Sequence, residues 1–175
     1  MSVDITPPTY AEAPAIAALM REVFEQTYGA AIPKSVLYPY LDRTFSLQSM
    51  VGLINDGKAN LLVAHKHHHI VGVCQMREAP APNAPPSESA IEIERFYLLP
   101  SEHGNGSATR LLHAAEHYAH DRHAHYLWLC VWEHNKRAIG FYLKHRFAEI
   151  GTTSIWVDGV HFRDYVLSKT IKIEL

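Results

Sequence analysis

Residues 100–108 read Pro-Ser-Glu-His-Gly-Asn-Gly-Ser-Ala, a glycine-rich stretch between an apolar run and a helical pattern. Gly104 and Gly106 let a backbone approach a ligand closely, and the N–H groups of a helix start suit a phosphate; a plain tight turn has the same composition. Just upstream, Glu92 and Glu94 alternate with Ile93 and Arg95. On a strand, Glu92, Glu94, Phe96 and Leu98 share one face, so two carboxylates there can meet a cation and serve as general base, or stand as a solvated pair. Further on, Tyr142 follows Asn135 by seven residues. That is about two helical turns at ~3.6 residues each, so both side chains can look into the same cleft. Tyr142 also reads as a core aromatic with its hydroxyl satisfied.

Histidine offers a second kind of chemistry. The run His65-Lys66-His67-His68-His69 could ligate a metal. It sits where a hairpin turn is expected, without a fixed partner carboxylate, and strand alternation sends neighbouring rings to opposite faces, so a solvated turn and no metal site is the reading. His113, His117 and His120 fall on one helix stripe as surface residues do. Cys74 and Cys130 lie far apart in apolar surroundings with no CxxC spacing, which suits small buried hydrophobes rather than a zinc site or a disulfide framework.

The elements that position these residues follow from periodicity. Val3 and Ile5 mark a short strand. Ala13, Ile16, Ala17, Met20, Val23 and Phe24 form the stripe of an amphipathic helix, with Thr9 and Glu12 in capping-box register at its start. Two short helices are expected over 34–42 and 46–55, ending at Asp56-Gly57. Leu61–Ala64 and Ile70–Met76 read as a β-hairpin around the histidine run, and the proline-rich segment 79–90 as an exposed loop. Strand 91–99, the polar turn 101–105 and helix 106–121 come next, followed by strand 126–132, helix 135–144 and two strand-like runs, 147–157 and 161–168, around Asp158-Gly159. The expectation is one α/β (α+β) domain spanning residues 1–175, with a sheet packed by helices.

Composition sets the outer bounds. The 175 residues are 47% apolar and 19% charged, with 16 basic against 18 acidic side chains and a formal charge of −2, so neither a nucleic-acid surface nor a polybasic membrane anchor is indicated. No apolar run approaches the ~18 residues of a membrane span and no signal-peptide pattern opens the chain, so a cytoplasmic location is expected. Thirteen histidines make the charge sensitive to mild acid.

The segment 91–171 resembles the GNAT superfamily of N-acetyltransferases. His103-Gly104-Asn105-Gly106-Ser107-Ala108 stands where that superfamily has Gln/Arg-x-x-Gly-x-Gly/Ala, with Pro100 three residues ahead. Asn135 to Phe147 follows Asn-x-x-Ala-x-x-Phe-Tyr-x-x-x-Gly-Phe, with Arg146 in place of the Gly. The resemblance implies a GNAT fold, a mixed and mostly antiparallel twisted sheet of about seven strands flanked by helices, with acetyl-CoA as cosubstrate and no metal. It assigns the pyrophosphate to residues 103–108, the pantetheine arm to Asn135 and the backbone of Phe96, Tyr97 and Leu98, and the thioester sulfur to Tyr142. His103 offers a ring N–H where Gln or Arg is usual, and so less fixed charge than Arg.

A finer likeness, carried by 91–97, 127–129, 131–135 and the pattern Phe24 to Tyr28 with Tyr38, Leu41 and Phe45, is to the bacterial spermidine/spermine branch. It implies a small primary amine as partner, with Phe24, Tyr28, Glu94 and Glu133 around it; the sequence does not encode the oligomeric state, and the family resemblance leaves a homodimer open. A protonated amine with a pKa near ~10.4 must lose a proton before it attacks a thioester, and Glu94 or Glu92 is the expected base or anchor. A protein N-terminal amine as acceptor, or an acyl-CoA-binding sensor without turnover, stays open.

Overall fold

The computed structural model describes residues 3–56, 59–85 and 87–172. Its elements in chain order are β1 (Asp4–Thr6), α1 (Ala13–Tyr28), α2 (Lys34–Thr44), α3 (Leu47–Asn55), β2 (Ala59–Lys66), β3 (His69–Glu78), β4 (Ala90–Leu98), α4 (Ser107–Asp121), β5 (Tyr126–Trp132), α5 (Lys136–Lys144), β6 (Ala148–Val157) and β7 (Val160–Thr170). The seven strands form one sheet in the order β1-β2-β3-β4-β5-β7-β6. β1 with β2, β5 with β7 and β6 with β7 are antiparallel, while β4 and β5 run parallel, joined by the α4 crossover. The mixed α/β sheet of about seven strands anticipated from the sequence is therefore present.

Two compact units are distinguished, Met1–Gln75 with Arg95–Ala115 and Met76–Glu94 with Glu116–Leu175. In the first, α1 buries Ala13, Ile16, Ala17, Leu19, Met20 and Phe24 on one stripe, as its periodicity requires. The Thr9/Glu12 capping box forms, but it opens a 3₁₀ turn over Tyr10–Glu12 that leads into α1 instead of capping α1 itself. α2 continues past the expected end at 42 to Thr44, carrying Pro39 within it. Ser46 caps α3 through its side chain, and the expected stop at Gly57 lies outside the described residues. The β2–β3 turn is made by His67 and His68, with φ of 50° and 65°, the left-handed pair a two-residue hairpin demands. The expectation that this run has no partner carboxylate fails at His65, whose Nε2 lies 2.6 Å from Glu12 Oε1.

In the second unit, β4 and β5 pair from Ala90↔Tyr126 to Ile93↔Leu129, and β5 pairs with β7 from Tyr126↔Thr170 to Trp132↔Asp164. Trp128 packs in a cluster with Ala81, Ala90 and Val166. The proline-rich segment is thus not simply an exposed loop: Ala81 is buried, the Trp128 indole N–H donates to the Ala79 carbonyl at 3.0 Å, and Asn83 Nδ2 donates to the Ile150 carbonyl at 3.4 Å. Small alanines between the prolines let this stretch lie against the sheet. β6 is the edge strand, with a bulge between Glu149 and Gly151.

Candidate active site

The glycine turn belongs to the first unit. β4 ends at Leu98, a 3₁₀ turn covers Pro100–Glu102, and α4 starts at Ser107. Gly104 and Gly106 have φ of +80° and +91°, a region that costs other residues ~1–2 kcal/mol. A Cβ at either would meet nothing within 4 Å, so it is backbone conformation, not crowding, that selects glycine here. Residues 103–106 are exposed at the start of a 15-residue helix, where backbone N–H groups and the positive end of the dipole face outward. The turn fits a phosphate group.

What holds the turn is a carboxylate that the sequence reading passed over. Glu102, 5% exposed, receives Lys66 Nζ at 2.9 and 3.1 Å, Asn105 Nδ2 at 2.6 Å and Ser107 Oγ at 2.7 Å. Asn105 Oδ1 in turn accepts from the Ser107 N–H at 3.0 Å. These donors, led by Lys66, hold the Glu102 carboxyl down at about 2. Its charge is spent internally, so it does not repel an anion at the neighbouring turn as a bare carboxylate does.

Phe96 and Tyr97 are half-buried and Leu98 is buried. The Tyr97 ring meets Phe45 edge-on at 6.5 Å. A Cβ on Gly72 would lie 3.0 Å from Leu98 Cγ, so the glycine permits a close approach at the end of β4. Of the two aromatics expected at the amine, Phe24 lies buried among Tyr28, Tyr40 and Phe45 at centroid distances of 4.6, 5.0 and 5.7 Å, and Tyr28 is half-buried beside it.

The second unit holds the acid–base candidates. Glu92 is buried and accepts from Arg77 Nε at 2.7 Å, while Glu94 is exposed with its carboxylate 4.0 Å from the same nitrogen. One arginine reaching both places the two carboxylates on one sheet face, as strand alternation requires. Register carries that face onward: Glu92 lies opposite Trp128 on β5, and Cys130 and Trp132 follow with Val166 and Asp164 as their β7 partners. Burial, then Glu92 and Asp164, push the Cys130 thiol up to about 12, so it stays protonated.

Asn135 caps α5, its Oδ1 accepting from the Ala138 N–H at 3.2 Å. Tyr142 is 5% exposed, its ring edge-on to Phe141 at 5.3 Å and Phe147 at 5.4 Å. Arg146 has φ +68°, which explains why the resembled pattern carries glycine there. Glu133 is tied to Arg163 Nη1 at 3.0 Å.

A second carboxylate also escaped the sequence reading. Asp164 is 7% exposed and its Oδ1 has no hydrogen-bond partner. Burial, and then the charge of Glu133, raise its carboxyl to about 6. A signal was present: Asp164 alternates with Phe162, Val166 and Ser168, all buried, so the period of two puts it on the inner face of β7. Among the described residues no three His, Cys, Asp or Glu side chains are grouped to hold a metal ion, and no helix is long and apolar enough to cross a membrane.

Known proteins resemble this arrangement. A family model described as the acetyltransferase (GNAT) family matches residues 17–147. An uncharacterized N-acetyltransferase of Mycobacterium tuberculosis is 27% identical over 160 residues, covering 91% of this chain and 98% of that protein. The crystal structure of PaiA N-acetyltransferase from Thermoplasma acidophilum in complex with coenzyme A superimposes with a TM-score of 0.75 at 18% identity, covering 97% of this chain and 99% of that one. A ribosomal-protein-alanine N-acetyltransferase from Brucella melitensis gives a TM-score of 0.70 at 22% identity, with 95% and 99% covered. Matched over most of its length by the family model, the chain belongs to the GNAT acetyltransferases, an N-acetyltransferase family that uses acetyl-CoA.

Proposed function

We propose that this protein, one N-acetyltransferase domain over residues 1–175, moves the acetyl group of acetyl-CoA to a small primary amine, a polyamine or a compound like it, by direct attack in a ternary complex. Acetyl-CoA supplies an acetyl thioester. Residues 103–108 hold its pyrophosphate through backbone N–H groups and His103, and Asn135 turns its amide toward the pantetheine arm. Of the stretch Tyr97 to Leu99, the Leu99 N–H is taken by the Val71 carbonyl at 3.0 Å, which leaves a backbone N–H of Tyr97 or Leu98 to steady the carbonyl oxygen as charge develops there. Tyr142, with a reference pKa near ~10, gives its proton to the departing sulfur, whose thiol resembles the ~8.5 of free cysteine. Nothing covalent forms on the protein.

The observation that carries the amine reading is the carboxylate pair on β4. Arg77 offsets the buried Glu92, and Glu94 stands exposed on the same face, suited to hold an ammonium group. Glu94 is the carboxylate at the amine, Glu92 is its neighbour on β4, and the resemblance adds Phe24, Tyr28 and Glu133 to the residues assigned to the acceptor. The reading includes a cytoplasmic location and a homodimer through the C-terminal strands, supported by the edge position of β6 and by Trp156, 64% exposed on it.

Calorimetry with acetyl-CoA, followed by thiol release across polyamines, lysine-like amines and N-terminal peptides, tests the proposal. Turnover greatest on di- and polyamines supports it. Turnover only on peptides moves the acceptor to a protein N-terminus, and tight binding without turnover on any amine makes the protein a sensor.

A further inference from the structure

We infer that Asp164 receives the proton of the acceptor amine. This rests on acetyl transfer to an amine as proposed above, and it assigns the base to a β7 residue in place of the β4 carboxylates.

Position along the sheet separates the candidates. Asp164 lies opposite Trp132, the last residue of β5, three residues before Asn135 and the helix that carries Tyr142. Glu92 lies opposite Trp128, four residues earlier on β5. At ~3.3 Å per residue that is about 13 Å along the strand, too far for one proton transfer at the end from which Asn135 and Tyr142 arise. Glu92 is moreover bound to Arg77 at 2.7 Å. Glu94 is exposed and retains the part for which exposure suits it, holding positive charge.

The chemistry of Asp164 fits the assignment. Its Oδ1 is buried without a hydrogen-bond donor, so its negative charge has not been spent on the protein as that of Glu102 has. Among the described residues about it, Glu133 adds negative charge and is held by Arg163 at 3.0 Å, with His134 3.9 Å from Glu133. Cys130, two residues before Trp132 on the same β5 face, is a protonated thiol, and the β6 partner opposite Asp164 is the uncharged Thr153. An ammonium arriving there gains a charge partner, and a carboxyl raised to about 6 is ionised at neutral pH yet a better proton acceptor than an ordinary aspartate.

The step balances. The N–H bond of the ammonium breaks and its proton passes to the Asp164 carboxylate. The freed lone pair forms the C–N bond to the acetyl carbon, the nitrogen gives up its second proton to solvent, the C–S bond breaks, and Tyr142 protonates the sulfur. The Asp164 proton then returns to the Tyr142 phenolate by way of solvent. Net, an ammonium and a thioester give an amide, a thiol and one released proton when Asp164 and Tyr142 regain their resting states.

The test is thiol release with an amine the wild type turns over, measured from pH 5 to 9 on wild type, Asp164→Asn and Asp164→Glu, with acetyl-CoA affinity measured alongside. For the wild type, kcat/KM is expected to rise through an ionisation near pH 6. Asp164→Asn is expected to lose that inflection and about 100-fold in kcat at unchanged acetyl-CoA affinity, with partial recovery in Asp164→Glu. A wild-type profile without the inflection overturns the assignment whether or not the variants fold, as does an Asp164→Asn protein with unchanged kcat and profile; both leave the amine reading standing. A wild type that binds acetyl-CoA and acetylates no amine overturns the two together.

Discussion

Glu102 and Asp164 are buried almost equally, at 5% and 7% exposure, yet their carboxyls move in opposite directions, to about 2 and to about 6. Glu102 gathers one lysine, one amide and one hydroxyl within 3.1 Å, whereas Asp164 has an oxygen with no donor and a neighbouring carboxylate. Burial costs both of them; what differs is whether the fold supplies hydrogen bonds to the charged form. A carboxylate that is fully partnered builds structure, here the glycine turn. One left without donors is available for chemistry. Glu102, beside the glycine turn, is of the first kind, and Asp164, at the end of β5, is of the second.

Substitutions on either side of this contrast test it, the strongest first. Tyr142→Phe, on the chemical side, is expected to lower kcat about 100-fold while leaving acetyl-CoA affinity within a few-fold, read by thiol release and calorimetry. Glu102→Gln, on the structural side, removes the charge that partners Lys66 and turns one of the two acceptor oxygens into a donor, and is expected to cost about 1–3 kcal/mol in thermal or urea unfolding and to weaken acetyl-CoA binding, since the turn loses its brace. The Glu102 carboxyl lies below its unfolded value, so its contribution is complete above about pH 4.5 and disappears as pH falls toward about 2. The gap between wild type and Glu102→Gln therefore closes in acid.

Asp164→Asn should show the opposite sign. The Asp164 carboxyl lies above its unfolded value of 3.8, so folding is favoured with the proton bound and that advantage is lost as pH rises through about 6. At pH 8 the asparagine variant is expected to be more stable than wild type by roughly 2 kcal/mol, and below pH 4 no more stable. A variant that gains stability while losing activity marks a group kept for function. Arg146→Gly relieves the left-handed backbone at φ +68° and is expected to add about 0.5–1 kcal/mol to stability without altering turnover. The smallest effect is expected for His103→Arg, a few-fold gain in acetyl-CoA affinity at pH 8 from one fixed charge on an exposed turn.

Local pattern made much of this legible. The glycine turn, the α4 stripe, the Asn135 cap and the alternation of Glu92 with Glu94 follow from spacings within a few residues, where helix and strand periods act directly. Partners distant along the chain do not announce themselves. Lys66 finds Glu102 across 36 residues and His65 finds Glu12 across 53, through pairings that only the assembled sheet provides. Arg77 with Glu92 is a case of the same kind. Asp164 is different: its place between buried Phe162 and Val166 was readable by period, but a charged residue inside a strand with no visible partner draws no attention until register shows its neighbours.

The most direct test of acetyl transfer to an amine, with Asp164 as its base, is the pH dependence of thiol release by the wild type with acetyl-CoA and a polyamine. The account expects turnover whose kcat/KM climbs through an ionisation near pH 6, as Asp164 loses its proton. Bound acetyl-CoA with no acetyl transferred to any amine, at any pH between 5 and 9, would contradict it.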